Sequence, residues 1–151
     1  MTTYKTVSRK LTIVSEKGDS EFKKVKIQSS IIASEFCRQF FYDDISIYES
    51  FFLILLNRAN NTIGYVKISQ GGVASTVCDA SIVAKYAIES LASAVVLCHN
   101  HPSGNIHPSQ DDIDLTRKIK HGLALFDISV LDHIILTEDN YYSFGDNGTM
   151  P

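Results

Sequence analysis

Two strand-length stretches of unbroken hydrophobicity constrain what this chain can fold into. Phe51-Phe-Leu-Ile-Leu-Leu56 and Ala94-Val-Val-Leu-Cys98 have no polar residue at alternate positions. A strand with one face in water alternates apolar and polar side chains, whereas a strand covered on both faces does not. Both stretches therefore read as central strands, and a sheet built on them needs a layer on each face.

The rest of the chain supplies those layers. Ser30 is placed to cap a helix running to about Tyr42, with Ile31, Ile32, Phe36, Phe40 and Phe41 at helical spacing and Asp43-Asp44 as its end. Asp79 caps a second helix, whose stripe is Ile82, Val83, Tyr86, Ala87 and Leu91. Ser109 opens a third. Its acids Asp111, Asp112 and Asp114 come early and Arg117, Lys118, Lys120 and His121 late, as the helix macrodipole favours.

Around the first apolar stretch, Tyr48 to Asn57 forms a strand, Asn60-Asn61 turns, and Thr62 to Ser69 returns, which makes a hairpin ended by Gly71-Gly72. Lys10 to Val14 and Phe22 to Ile27 read as short strands around Glu16-Lys-Gly-Asp19. Late strand material lies at Ile128 to Leu131, His133 to Thr137 and Tyr141 to Phe144. The expected fold class is α/β or α+β, a mixed sheet flanked by helices, in one domain over residues 1–151.

Composition narrows the function classes. No apolar run approaches the roughly 20 residues that span a bilayer. Met1-Thr-Thr-Tyr-Lys-Thr6 has neither the basic start nor the apolar stretch of a secretory signal, so a cytoplasmic chain is expected. The three cysteines, Cys37, Cys78 and Cys98, form no C-x-x-C pair and sit in apolar contexts, which suits small buried hydrophobes. A net charge of −3 opposes a broad phosphate-binding surface, although Lys23, Lys24 and Lys26 make a local basic group.

Chemistry concentrates after the second apolar stretch, in His99-Asn-His-Pro-Ser-Gly104. His99 and His101 are two apart, so on extended backbone both imidazoles leave one face and Asn100 the other. Pro102 and Gly104 force a turn, and Asp112 in the first turn of the third helix is placed to point back at the strand end. Two imidazoles and one carboxylate are the ligand set of a catalytic zinc with its fourth position left for water. The same set also suits non-haem iron or manganese. Ser109-Gln-Asp-Asp112 has a second reading as a capping box, Ser109 at N-cap and Asp112 at N3.

Taken together, H-x-H-P followed by S-x-x-D resembles the JAMM (MPN-plus) metallopeptidase signature. Leu97-Cys-His-Asn-His-Pro-Ser-Gly-Asn105, Ser109 to Asp112 and Val130-Leu-Asp-His-Ile134 look more closely like the RadC family. Tyr48 to Phe52 and Leu56 to Asn60 share that likeness, which extends over about residues 29–144. The resemblance implies a JAMM/MPN-like sheet between helices (a cytidine-deaminase-like sandwich), one Zn2+ per chain, and hydrolysis of an amide or isopeptide bond in a peptide or protein substrate. His99, His101 and Asp112 match the metal ligands, Ser109 a hydrogen-bond donor to the oxyanion or the metal-bound water, and Glu49 the upstream acid. Longer members carry an N-terminal helix-hairpin-helix segment, which this chain is expected to lack, so the family's DNA-repair label has little to rest on here.

Glu49 also stands on its own placement. It opens an otherwise apolar strand, where a carboxylate is costly unless it lies at the end or has a partner. As a general base it would take a proton from the zinc-bound water and return it to the leaving amine. Glu89 competes but also fits a surface pair with Lys85 four residues earlier; Glu21 and Glu35 have no placement argument. Asp132-His133 has two readings, support for a metal ligand or a strand-edge hydrogen bond. His107 suits an exposed loop and His121 a helix C-terminus. The rival to an enzyme is a metal-binding interaction module without turnover. A nuclease of the HNH kind is discounted, because such enzymes take those residues from separate elements.

Overall fold

Every residue of Phe51–Leu56 and Ala94–Cys98 is buried, and the sheet is built around them. The computed structural model describes residues 23–41, 45–72 and 77–151. In chain order the elements are α1 (Ser30–Arg38), β1 (Ser50–Leu56), β2 (Thr62–Gln70), α2 (Ala80–Glu89), β3 (Ala94–Asn100), α3 (Gln110–Ala124), β4 (Ser129–Leu136) and β5 (Tyr141–Ser143). The five strands form one sheet in the order β2-β1-β3-β4-β5. β1 runs antiparallel to β2 and β3, β4 is parallel to β3, and β5 is antiparallel to β4. This is the mixed α+β architecture expected.

Strand alternation sends Phe52, Ile54, Leu56, Val96 and Cys98 to one face, where Ala33, Phe36, Cys37 and Phe41 from α1 and its exit cover them. Phe51, Leu53, Leu55, Val95 and Leu97 go to the other, against Val83 and Ala87 of α2 and Ile119 and Leu123 of α3. Cys37 and Cys98 are buried free thiols in the first cluster, and Cys78 is a half-buried one that burial pushes up to about 12.

Several boundaries differ from the sequence reading. Ser29, not Ser30, caps α1: its extended backbone leaves Oγ to accept from the Ile32 N–H at 3.3 Å. The Ser30 hydroxyl instead meets Tyr141 and Asp146. Adjacent serines offer the same cap chemistry, so only the path of the incoming chain chooses between them. The helix also stops at Arg38, short of Tyr42. Phe40 leaves it to stack on Tyr65, with ring centroids 3.9 Å apart, and on Phe52.

Asp79 and Ser109 cap α2 and α3 as the sequence suggested. β1 begins at Ser50 rather than Tyr48, and the late pieces before and after Asp132 are one strand, β4. Within 23–27 there is a single bridge, Lys26 to Asn61, and no strand. Lys10 to Val14, Glu16 to Asp19, Phe22, Tyr42 and Asp43-Asp44 lie outside the described residues. Among the described residues no helix is long and apolar enough to cross a membrane.

Leu97, with no exposed surface at the centre of β3, tests this layering. Leu97→Ala is expected to lower unfolding stability by about 2–5 kcal/mol, read as a drop in the urea midpoint.

Candidate metal centre

β3 ends where its cover ends. The His101 N–H donates to the Leu136 carbonyl at 2.9 Å, so the strand's pairing continues through both histidines before Pro102 turns the chain. Gly104 takes a positive φ of 82° in that turn, a conformation glycine adopts without strain. The chain re-enters at Ser109, where a complete capping box forms. The Asp112 N–H donates to Ser109 Oγ at 3.1 Å, and Ser109 N–H and Oγ–H each donate to Asp112 Oδ2 at 2.7 Å. Capping and site-building are thus the same local structure, since the box fixes the Asp112 carboxylate at the helix mouth.

That mouth faces β3. His99 Nε2 lies 2.9 Å from His101 Nε2 and 3.2 Å from Asp112 Oδ1, and His101 Nε2 lies 3.5 Å from Asp112 Oδ2. His99 is fully buried, while His101 and Asp112 keep some exposure at the opening. Among the described residues, these three form the group of metal-ligating side chains whose donor atoms all lie within 4.8 Å of one another.

The atoms fit a cation. His101 Nδ1 lies 2.6 Å from the Asn105 carbonyl, which only accepts, so that nitrogen carries the proton and Nε2 offers a lone pair. The Asp112 oxygens are acceptors as well. Acceptors in such contact repel unless something positive sits between them. Burial opposes a positive charge on His101, but Asp112, the Asn105 carbonyl and the Glu49 charge raise its pKa. Burial likewise opposes the Asp112 charge, yet hydrogen bonding to His101, His99 and Ser109 holds its carboxyl well below the ordinary carboxylate range. Two imidazole nitrogens and one carboxylate oxygen suit zinc, with iron chemically close.

Glu49 precedes β1 on the face of His99 and His101. Phe51 pairs with His99, so Glu49, two residues earlier, falls opposite His101. Both of its backbone groups are held by the segment after β2, the N–H donating to Gly72 O at 3.2 Å and the carbonyl accepting from the Gly71 N–H at 2.8 Å. Glu89 is exposed at the C-terminal end of α2, next to the start of β3 and at the opposite end of that strand from the histidines.

Asn100 is a residue whose work the sequence reading missed. It points away from the histidines, as alternation requires, and is fully buried. Its Oδ1 accepts from the Ser50 N–H at 2.8 Å, and its Nδ2 donates to Ile45 O and Tyr48 O at 2.7 and 2.8 Å. The middle residue of H-x-H thereby pins the chain that carries Glu49. An amide at the end of an apolar strand was the available signal.

Asp132 and His133 divide the two readings between them. The Asp132 carboxylate accepts from His133 N–H, Ser143 Oγ–H and Gly145 N–H, tying β4 to the end of β5, while burial raises its pKa. The buried His133 ring faces the site, with Nε2 2.7 Å from His99 Nδ1 and Nδ1 2.6 Å from Thr116 Oγ1. A register shift decides which of the pair does so. Val95 pairs with Val130 but Val96 with Asp132, so Leu131 is an extra residue that moves His133, not Asp132, onto the face of His99. Thr116 was also missed; its signal was a hydroxyl on the buried stripe of α3 with Ile119 and Leu123. His107 is exposed with its ring near Tyr142, and His121 is exposed in the last turn of α3.

Residues 27–149 match the family model described as a RadC-like JAB domain. The chain belongs to that family. A UPF0758 protein of Flavobacterium johnsoniae is 45% identical over 101 residues, which cover 67% of this chain and 44% of that protein. A UPF0758 protein of Porphyromonas gingivalis is 38% identical over 103 residues, or 68% of this chain and 45% of its own length. One from Neisseria meningitidis is 39% identical over 98 residues, 65% of this chain and 44% of that protein. The matched part is thus less than half of each of these relatives. The three donor groups of this RadC-like JAB domain come from the end of β3, the residue that follows it and the start of α3.

Asn100→Ala leaves the Ser50 N–H and the Ile45 and Tyr48 carbonyls without their partner. The expected cost is about 3 kcal/mol in denaturant unfolding, with faster hydrogen exchange at the Glu49 and Ser50 amides.

Proposed function

We propose that this RadC-like JAB domain is a zinc-dependent hydrolase of the JAMM type that cleaves an amide or isopeptide bond in a peptide or protein. The observation that carries the reading is the convergence of His99 Nε2, His101 Nε2 and the Asp112 carboxylate at the open end of β3, with Glu49 on the same face. One zinc per chain is held by those three side chains. When bound, it supplies a Lewis acid and lowers the pKa of a water to about 7.

The remaining work belongs to the chain. Glu49 accepts a proton from the water attacking the scissile carbonyl carbon. It returns that proton to the nitrogen as the C–N bond breaks. The Ser109 hydroxyl, exposed and resting on Asp112 Oδ2, rotates to donate to the oxyanion that develops on the carbonyl oxygen. Asp112 keeps its place through the Ser109 N–H. The negative net charge favours a protein partner over nucleic acid, because binding a random duplex relies on clustered cations. Fluorescence anisotropy with random duplex DNA at physiological salt is expected to show no micromolar binding.

Two substitutions separate metal from chemistry. Asp112→Ala is expected to lose zinc by elemental analysis of the purified protein. Glu49→Gln keeps the metal and the side-chain shape but is expected to lower hydrolysis of a responsive peptide or isopeptide substrate by about 10²–10⁴-fold. Undiminished zinc in Asp112→Ala would overturn the ligand assignment, and unchanged turnover in Glu49→Gln would overturn the role of Glu49.

A further inference from the structure

Behind the three donor groups lies a closed set of buried contacts that the hydrolase reading leaves unused. Thr116 Oγ1 is 2.5 Å from the backbone carbonyl of Asp112 and 2.6 Å from His133 Nδ1. His133 Nε2 is 2.7 Å from His99 Nδ1. His99 Nε2 returns to Asp112 Oδ1 at 3.2 Å. Thr116, His133 and His99 are all buried. The set joins α3, β4 and β3, and it connects two of the metal-ligating residues by a path other than the metal.

Counting protons assigns every member. A threonine hydroxyl has one hydrogen, and the Asp112 carbonyl can only accept, so that hydrogen points at the carbonyl. Toward His133 the hydroxyl can then offer only a lone pair. His133 Nδ1 must therefore carry a proton. The ring is wholly buried and its other nitrogen faces another imidazole rather than a carboxylate, so a second proton would leave an unpaired buried charge. His133 Nε2 is consequently an acceptor, His99 Nδ1 is its donor, and His99 Nε2 is left bare toward Asp112 and His101.

We infer that Thr116 and His133 are positioning residues that fix the tautomer and ring orientation of His99, presenting its Nε2 lone pair to a divalent cation before that cation arrives. An unconstrained imidazole has two neutral tautomers and can turn about its side-chain bonds. A ligand set in advance loses neither freedom on binding, and partners behind metal-bound histidines typically contribute 10–100-fold in affinity. The hydroxyl at Thr116 is what distinguishes the device from ordinary packing. Valine has nearly the same shape but can neither accept from His133 nor donate to Asp112, whereas serine can do both.

The inference rests on the metal-site reading, but one of its readouts needs no metal. In the full chain without metal, ¹⁵N NMR of the imidazoles is expected to show His99 and His133 each protonated at Nδ1 and bare at Nε2. Zn2+ titration against a competing chelator is expected to give about 10–100-fold weaker binding in Thr116→Val and wild-type affinity in Thr116→Ser, with both variants folded by circular dichroism. His99 protonated at Nε2 in the metal-free chain would overturn the inference, as would unchanged Zn2+ affinity in Thr116→Val. If Thr116→Val fails to fold, the wild-type tautomers decide the matter. If wild-type protein shows the expected tautomers yet takes up no Zn2+, the zinc reading fails while the tautomer assignment stands.

Discussion

The antiparallel pairing of β1 with β3 is the constraint on which the rest depends. Both strands are buried on both faces, so their register cannot slip by one residue without turning two apolar layers inside out. That register places Phe51 beside His99 and so carries Glu49 to a position opposite His101. It also sets Asn100 where its amide can hold Ser50 and the two carbonyls before it. A single pairing therefore brings the two histidines and Glu49 to one face and braces the entry to β1 on the other.

The second device is the capping of α3. An N-cap box satisfies helix N–H groups that would otherwise lack partners. Here the box residue at N3 is also the carboxylate that meets both imidazoles. Asp112 fills both places at once: Oδ2 accepts from Ser109 and also lies 3.5 Å from His101 Nε2, while Oδ1 faces His99 Nε2. Behind this mouth, polar contacts continue into the core through His133 and Thr116 rather than stopping at His99 and Asp112. Buried polar groups are tolerated when each has a partner, and this set closes on itself.

Much of this was legible in the sequence. Unbroken hydrophobicity marked β1 and β3, period-two geometry put His99 and His101 on one face, and Asp79 and Ser109 announced their helices. These features depend on neighbours close in the chain, where propensity and alternation act directly. Two places were not settled by local chemistry: the cap expected at Ser30 fell on Ser29, and Asp132-His133 kept two readings. At the cap, the approach of the chain and the partners waiting for Ser30 in Tyr141 and Asp146 decided. At Asp132-His133, the extra residue at Leu131 decided.

The sequence by itself determined a layered mixed sheet, the two histidines on a common face, and an aspartate at the mouth of the following helix. Each follows from the geometry of a single element or of two adjacent ones. Only the tertiary structure decided that Glu49 stands opposite His101, that His133 backs His99, and that Thr116 completes the contact. Those relations join residues far apart in the chain. They are fixed by strand register and by the burial that makes any other register costly, and neither is visible in one segment read alone.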